Sequence, residues 1–220
     1  MTRSPQNLNT EADLDAAIAV LVAADKRLAA VARVTGRPPL RRRADGFAGL
    51  AAIIISQQVS IASAQAIHRR VSSALGDISA RTALKAGEAG LRACGLSGPK
   101  IRTFLAVATA EASGQIDFGA LRAQGDRNVT EHLVALKGIG PWTAEIYLLS
   151  CLGRADVWPA GDLALREAMK LALDLDIRPR AEDTHAHAEP WRPYRSVAAR
   201  LLWSYYAAAR NLGRETGGSL

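Results

Sequence analysis

Leu14, Ile18, Leu21, Val22 and Leu28 recur at three- and four-residue steps between Asp13, Asp15, Asp25, Lys26 and Arg27. That is the pattern of an amphipathic helix burying one stripe, here over about 11–33. The run Ile53, Ile54, Ile55 taken alone suits a buried strand, but no second strand pattern exists to pair with it. Two helices meeting near Ser56 are expected instead, the second passing through Val59, Ala62, Ala66, Ile67 and Val71. Further helices are expected over 87–94, 100–113, 126–136, 141–151, 162–171 and 193–211, separated by short connections carrying Gly, Pro or both. The segment 35–45, with Pro38, Pro39 and Arg41 to Arg43, reads as a basic connector, and 213–220 as a frayed tail. The fold class is all-α.

The 220 residues carry 28 Lys and Arg against 21 Asp and Glu, a net charge of +7. A pI near 9.9 favours a polyanionic partner, although surface charge also serves solubility. With 49% hydrophobic and 22% charged residues the chain has material for a packed core, which argues against disorder. Its longest apolar run, 47–55, is interrupted by Gly49 and too short to span a bilayer, and the polar opening does not resemble a secretion signal. Two cysteines, Cys94 and Cys151, cannot form a four-thiolate centre, and a reducing, cytoplasmic setting is the expectation.

Chemistry concentrates at two places. In Leu136-Lys137-Gly138-Ile139-Gly140-Pro141-Trp142-Thr143-Ala144, two glycines precede a proline at a helix start. Glycine permits positive φ and close approach, and proline at the first helical position gives up only an N–H that has no helical partner. Such a hairpin offers free amides to an anion, with Lys137 adding a point charge; an ordinary αα-turn has the same outline. A second anion contact is conceivable at Lys100, which starts a helix after Gly98-Pro99, as is simple solvation. Further on, Trp158-Pro159-Ala160-Gly161-Asp162 forces an irregular turn before a helix. Asp162 is first an N-cap; a carboxylate there could also stabilise positive charge at a sugar C1′ or activate water. His185 and His187 with Glu182 and Asp183 lack metal-site spacing and read as a solvated loop. Trp191 and Tyr194 read as core, and Arg41 to Arg43 as a solvated charge run.

Five separated motifs then share one resemblance: 55–60, Gly95-Leu96-Ser97 with Lys100, 136–144, Trp158-Pro159 with Asp162 and Arg166, and 191–196 with Trp203. From about residue 15 to about 212 the chain resembles the DNA-3-methyladenine glycosylase II family of the helix-hairpin-helix base-excision glycosylases. The resemblance implies two all-α subdomains flanking a DNA-binding cleft, one over about 46–130 and the other over about 11–45 plus 131–212. It implies Asp162 as catalytic carboxylate, Trp142 and Trp203 as pocket aromatics, and Gln57 and Gln58 on the loop that enters the gap left by a flipped base. Lys137, Gly138, Gly140, Thr143 and Lys100 become the DNA-contacting set. Main-chain carbonyls at Val134, Leu136 and Ile139 match a position where the family often holds a monovalent cation, sodium or potassium. No other cofactor is implied: there is no cysteine beyond Cys151, so no iron–sulfur cluster is expected, and with mainly polar residues before Leu14 a compact form without the N-terminal β-domain of some larger members is the expectation.

The implied activity is base excision from damaged double-stranded DNA by a monomer, with alkylated purines of the 3-methyladenine type as substrate. Strand-cleaving relatives form a Schiff base through a lysine at the position of Trp142, which an indole cannot do, so no lyase step is expected. The setting would be a bacterial cytoplasm and nucleoid, or a nucleus if the source is eukaryotic. Two alternatives stay open: a non-catalytic DNA-binding hairpin protein, and a glycosylase for uracil, hypoxanthine or ethenoadenine.

Overall fold

The computed structural model describes residues 7–215, with side chains through 211. In chain order the helices are α1 (Glu11–Ala24), α2 (Lys26–Thr35), α3 (Gly46–Ser56), α4 (Ile61–Leu75), α5 (Ala80–Ala93), α6 (Gly98–Ala112), α7 (Phe118–Leu121), α8 (Asp126–Val134), α9 (Pro141–Tyr147), α10 (Leu163–Ala172), α11 (Thr184–Ala188) and α12 (Arg195–Glu215). A π-helical turn, Leu148–Leu152, continues α9, and a 3-10 turn, Glu189–Trp191, follows α11. Among the described residues no strand forms; one isolated bridge joins Asn7 and Arg154. None of the described helices is long and apolar enough to cross a membrane.

Two compact units divide the chain: Met1–Arg42 with Gly153–Leu220, and Arg43–Leu152. In the first, α12 packs on α1, α2 and α10, burying Leu14, Leu21, Leu28, Val31, Leu165, Met169, Leu201 and Leu202. The expected single helix over 11–33 is broken at Asp25, whose extended backbone (φ −130°) separates α1 from α2. The cause is distant in sequence. Asp25 caps α2 through the Arg27 amide (2.8 Å) and accepts the indole N–H of the fully buried Trp191 at 2.9 Å. A buried indole needs an acceptor, and a helical Asp25 would not serve both donors.

In the second unit α3 is the central helix, packed on α4, α6, α7, α9 and the π-helical turn. Ile53, Ile54 and Ile55 are 0–1% exposed, so the apolar run that carried no helical periodicity is a helix buried on all sides. Asp45 caps it through the Gly46 amide (2.7 Å) and also accepts the Tyr147 hydroxyl, while the Arg122 guanidinium lies 2.8 Å away. Burial and the neighbouring Asp45 carboxylate hold the Tyr147 phenol far above its ordinary range.

The expected grouping of 131–152 with the Asp162 region is corrected: α8, α9 and the π-helical turn pack with the central helices, because α9 lies against α3. The helix expected over 87–94 begins earlier, at Ala80, behind a Ser79–Thr82 capping box, and is kinked at Gly87 (φ +60°). Of 182–188, expected as a loop, residues 184–188 form α11, which includes both histidines, while Glu182 and Asp183 stay in the turn before it. The short α7 was not foreseen. Of the expected tail, 213–215 continue α12, and 216–220 lie outside the described residues.

Candidate active site

Asp162 is the N-cap of α10. Its Oδ1 accepts the Leu165 amide at 2.8 Å and the Trp203 indole N–H at 3.0 Å, so the carboxylate is oriented by a helix start and by an aromatic side chain from α12. A negative group at this end of a helix also sits favourably against the macrodipole. Both Asp162 and Trp203 are half-buried, which leaves part of each accessible.

The irregular segment before Asp162 is anchored along its length. The Ser196 hydroxyl donates to Arg154 O (2.7 Å) and accepts the Val157 amide (2.9 Å). Arg195 Nε donates to Asp156 Oδ1 at 2.8 Å, and Arg192 Nη1 to Asp156 Oδ2 at 2.7 Å. Trp158 donates its indole N–H to Thr184 Oγ1 (3.0 Å) and packs against Trp191 with ring centroids 5.5 Å apart. The motif 191–196 therefore fixes the approach to the carboxylate, and Trp191 and Tyr194 are core as expected, 0% and 3% exposed.

The second unit carries the hairpin. Gly138 has φ +85°, and a Cβ there would lie 1.9 Å from Thr103 Oγ1, so both reasons for glycine apply at once. Gly140 differs: it caps α9 with φ −103°, and an added Cβ would meet nothing within 4 Å. Lys137 is exposed and Trp142 half-buried. The carbonyls of Val134, Leu136 and Ile139 lie on the loop that leaves α8, where Leu136 O accepts the Ile139 amide at 3.1 Å. Neutral carbonyls are a donor set suited to a monovalent ion.

Two expected DNA contacts turn their side chains inward. Lys100 is 9% exposed and donates its ammonium to Ile55 O at 2.7 Å, and burial pushes its pKa below the ordinary lysine range. Thr143 is 2% exposed and its hydroxyl accepts Gln57 Nε2 at 2.9 Å. Neither side chain faces solvent, because the end of α3 draws both inward. Gln58, by contrast, is exposed and holds φ +53°, a conformation that non-glycine residues seldom take. His185 is exposed and His187 half-buried, and among the described residues no metal-competent cluster of His, Cys, Asp and Glu occurs.

Sequence reading missed the anchoring roles of Asp25, Ser196, Thr184 and Arg195. The 191–196 motif contained Arg195 and Ser196 but gave no sign of Asp25 or Thr184, whose partners are distant in sequence.

This chain belongs to the HhH-GPD superfamily of base excision DNA repair proteins, whose family model matches residues 51–193. It is 35% identical over 197 residues to DNA-3-methyladenine glycosylase of Saccharomyces cerevisiae, covering 72% of this chain and 66% of that one. DNA-3-methyladenine glycosylase 1 of Schizosaccharomyces pombe is 36% identical over 117 residues, 51% of this chain and 50% of its own length. Among solved structures, the Schizosaccharomyces pombe 3-methyladenine DNA glycosylase in complex with abasic DNA superposes with a TM-score of 0.79 at 29% identity, covering 86% of this chain and 95% of that one. The chain spans between 32% and 54% of the length of the first curated relatives it matches.

Proposed function

We propose that this protein is a monofunctional DNA glycosylase that removes alkylated purines, of the 3-methyladenine type, from duplex DNA. One observation carries the reading: a half-buried carboxylate, Asp162, oriented by a helix start and by the indole of Trp203. A purine alkylated at N3 or N7 is cationic, so an electron-rich indole face selects it by cation–π stacking once it is flipped out of the helix. Trp203, half-buried beside Asp162, supplies such a face. As the C1′–N bond breaks, its electron pair neutralises the departing base and the sugar becomes oxocarbenium-like. Asp162 stabilises that charge electrostatically; a water oxygen then bonds to C1′ and releases its proton, leaving an abasic site. The indole at Trp142 offers no amine for a Schiff base, so the strand stays intact.

The hairpin supports the same reading. Open space over Gly140, the exposed charge of Lys137 and the first-turn amides of α9 fit a DNA phosphate. Gln58, exposed at the tip of the 57–60 loop, is the side chain placed to enter the stack, whereas Gln57 is tied to Thr143. No cofactor is required for the chemistry; the carbonyls of Val134, Leu136 and Ile139 would hold a monovalent cation that stiffens the hairpin.

Incubation with duplexes each carrying one lesion tests the proposal. Release of free 3-methyladenine, with strand breaks only after alkali, is the expected result. Tight binding with no base released would leave a non-catalytic DNA-binding protein, breaks without alkali would contradict the absence of lyase chemistry, and release of only neutral lesions would overturn the substrate class.

A further inference from the structure

We infer that Lys100 and Thr143 are positioning residues that brace the 56–60 loop from two sides. In this arrangement neither side chain is free to contact DNA. The inference rests on the reading that this loop enters the duplex.

Lys100 sits in the first turn of α6, where the helix dipole disfavours a cation, and it is 9% exposed, where desolvation disfavours it again. A lysine with only a solvating role would avoid both. What offsets them is the bond to Ile55 O at 2.7 Å, one of the last carbonyls of α3, which a helix end leaves without an intrahelical partner. Burial also holds the ammonium pKa below the ordinary lysine range.

Two residues further on, Gln57 is the C-cap of α3, and its side chain is held by Thr143 of α9 at 2.9 Å. At the far end Ser60 caps α4 by accepting the Ser63 amide at 3.1 Å. The Ser56 hydroxyl donates to Ile53 O at 2.8 Å, and with fixed points at Ile55, Gln57 and Ser60 this leaves Gln58 and Val59 unanchored by these bonds. Gln58 is held at φ +53°, and such backbone persists only where its surroundings over-determine it. α6 and α9 thus dictate where the tip projects, through a buried cation and a buried hydroxyl.

The two roles open to Lys100 differ in salt dependence. A lysine that neutralises a phosphate contributes about 0.9 to the slope of log K against log salt concentration; a bracing lysine contributes nothing to it. Lys100→Met, Thr143→Val and Thr143→Ser separate them, the last retaining the hydroxyl. In the full chain without DNA, exchange of the Gln57 amide, which donates to Ile54 O, should accelerate about tenfold in Lys100→Met and severalfold in Thr143→Val and remain at the parent rate in Thr143→Ser. A hydrogen bond to a charged donor is normally worth about a factor of ten or more, and one between neutral groups a few-fold. With methylated duplex DNA, single-turnover excision should fall on the order of tenfold in the first two variants while the salt slope stays within about 0.3 of the parent. The double variant should lose less than the product of the single losses, because both act on one loop.

A slope lowered by about 0.9 in Lys100→Met would overturn the inference in favour of a phosphate contact. Unchanged exchange at the Gln57 amide would overturn it outright, as would the same loss in Thr143→Ser as in Thr143→Val. If the parent protein releases no base, the functional reading fails by itself, and the exchange measurement still decides the brace.

Discussion

Gly138 and Gly140 look equivalent in the sequence, yet the structure assigns them opposite consequences on substitution by alanine. At Gly138 the backbone is left-handed (φ +85°), which costs an L-residue about 1–2 kcal/mol. The new methyl would lie 1.9 Å from Thr103 Oγ1, on a side chain 7% exposed and packed in the interior. Overpacking of that kind adds about 1–3 kcal/mol. A total near 3 kcal/mol lowers the melting temperature of a chain this size by roughly 6–12 °C. At Gly140, φ is −103° and nothing lies within 4 Å, so alanine should cost under about 1 kcal/mol, the effect of a weaker N-cap. DNA affinity should behave the other way. The space over Gly140 is where a phosphate backbone would approach, and a methyl there should weaken binding about tenfold, the loss of roughly one hydrogen bond. Thermal unfolding and fluorescence anisotropy with a labelled duplex read both quantities on the same samples. Equal melting losses in the two variants, or full affinity in Gly140→Ala, would refute the reasoning.

Lys137→Ala should weaken binding to damaged and undamaged duplexes alike and reduce the salt slope by about 0.9, measured by anisotropy across a salt series. Trp203→Phe keeps an aromatic face but removes the indole donor that lies 3.0 Å from Asp162, so single-turnover excision should slow more than substrate binding weakens. Asp25 is held well below its ordinary value of 3.8 by the Arg27 guanidinium, opposed by burial and assisted by the Trp191 indole and the Arg27 amide. The folded pKa is thus depressed, and its stabilisation is complete above about pH 4 and fades as pH falls below that. Asp25→Ala should therefore flatten the acid limb of a denaturation series, and at neutral pH cost about 3 kcal/mol by stranding a buried indole N–H and removing the α2 cap.

Where a residue's role depends on its neighbours in sequence, the chain was readable in advance. Spacing alone revealed the helices on which one apolar stripe repeats, and Asp162 could be recognised as a cap because Pro159 and Gly161 precede it. Features set by distant partners were not readable. Asp25 breaks a helix for the sake of Trp191, 166 positions away, and Lys100 turns inward to a carbonyl 45 positions earlier. Half of the necessity of Gly138, the close approach, comes from Thr103 on α6. Likewise the pairing of Trp203 with Asp162 spans 41 residues; the resemblance named both, but only the coordinates give the bond that joins them. The α3 run carries no amphipathic signal because it has no solvent face to display.

Asparagine caps helices as well as aspartate does and retains an oxygen for the Trp203 indole, so Asp162→Asn removes the charge while leaving the local hydrogen bonds available. Single-turnover release of 3-methyladenine from a defined duplex, compared between the parent and this variant at matched DNA affinity and melting temperature, is the most direct measurement. A rate lower by a factor of a hundred or more, about 3 kcal/mol of transition-state stabilisation, is the predicted result. Release at the parental rate would show that the carboxylate only caps a helix, and the chemistry would have to reside elsewhere.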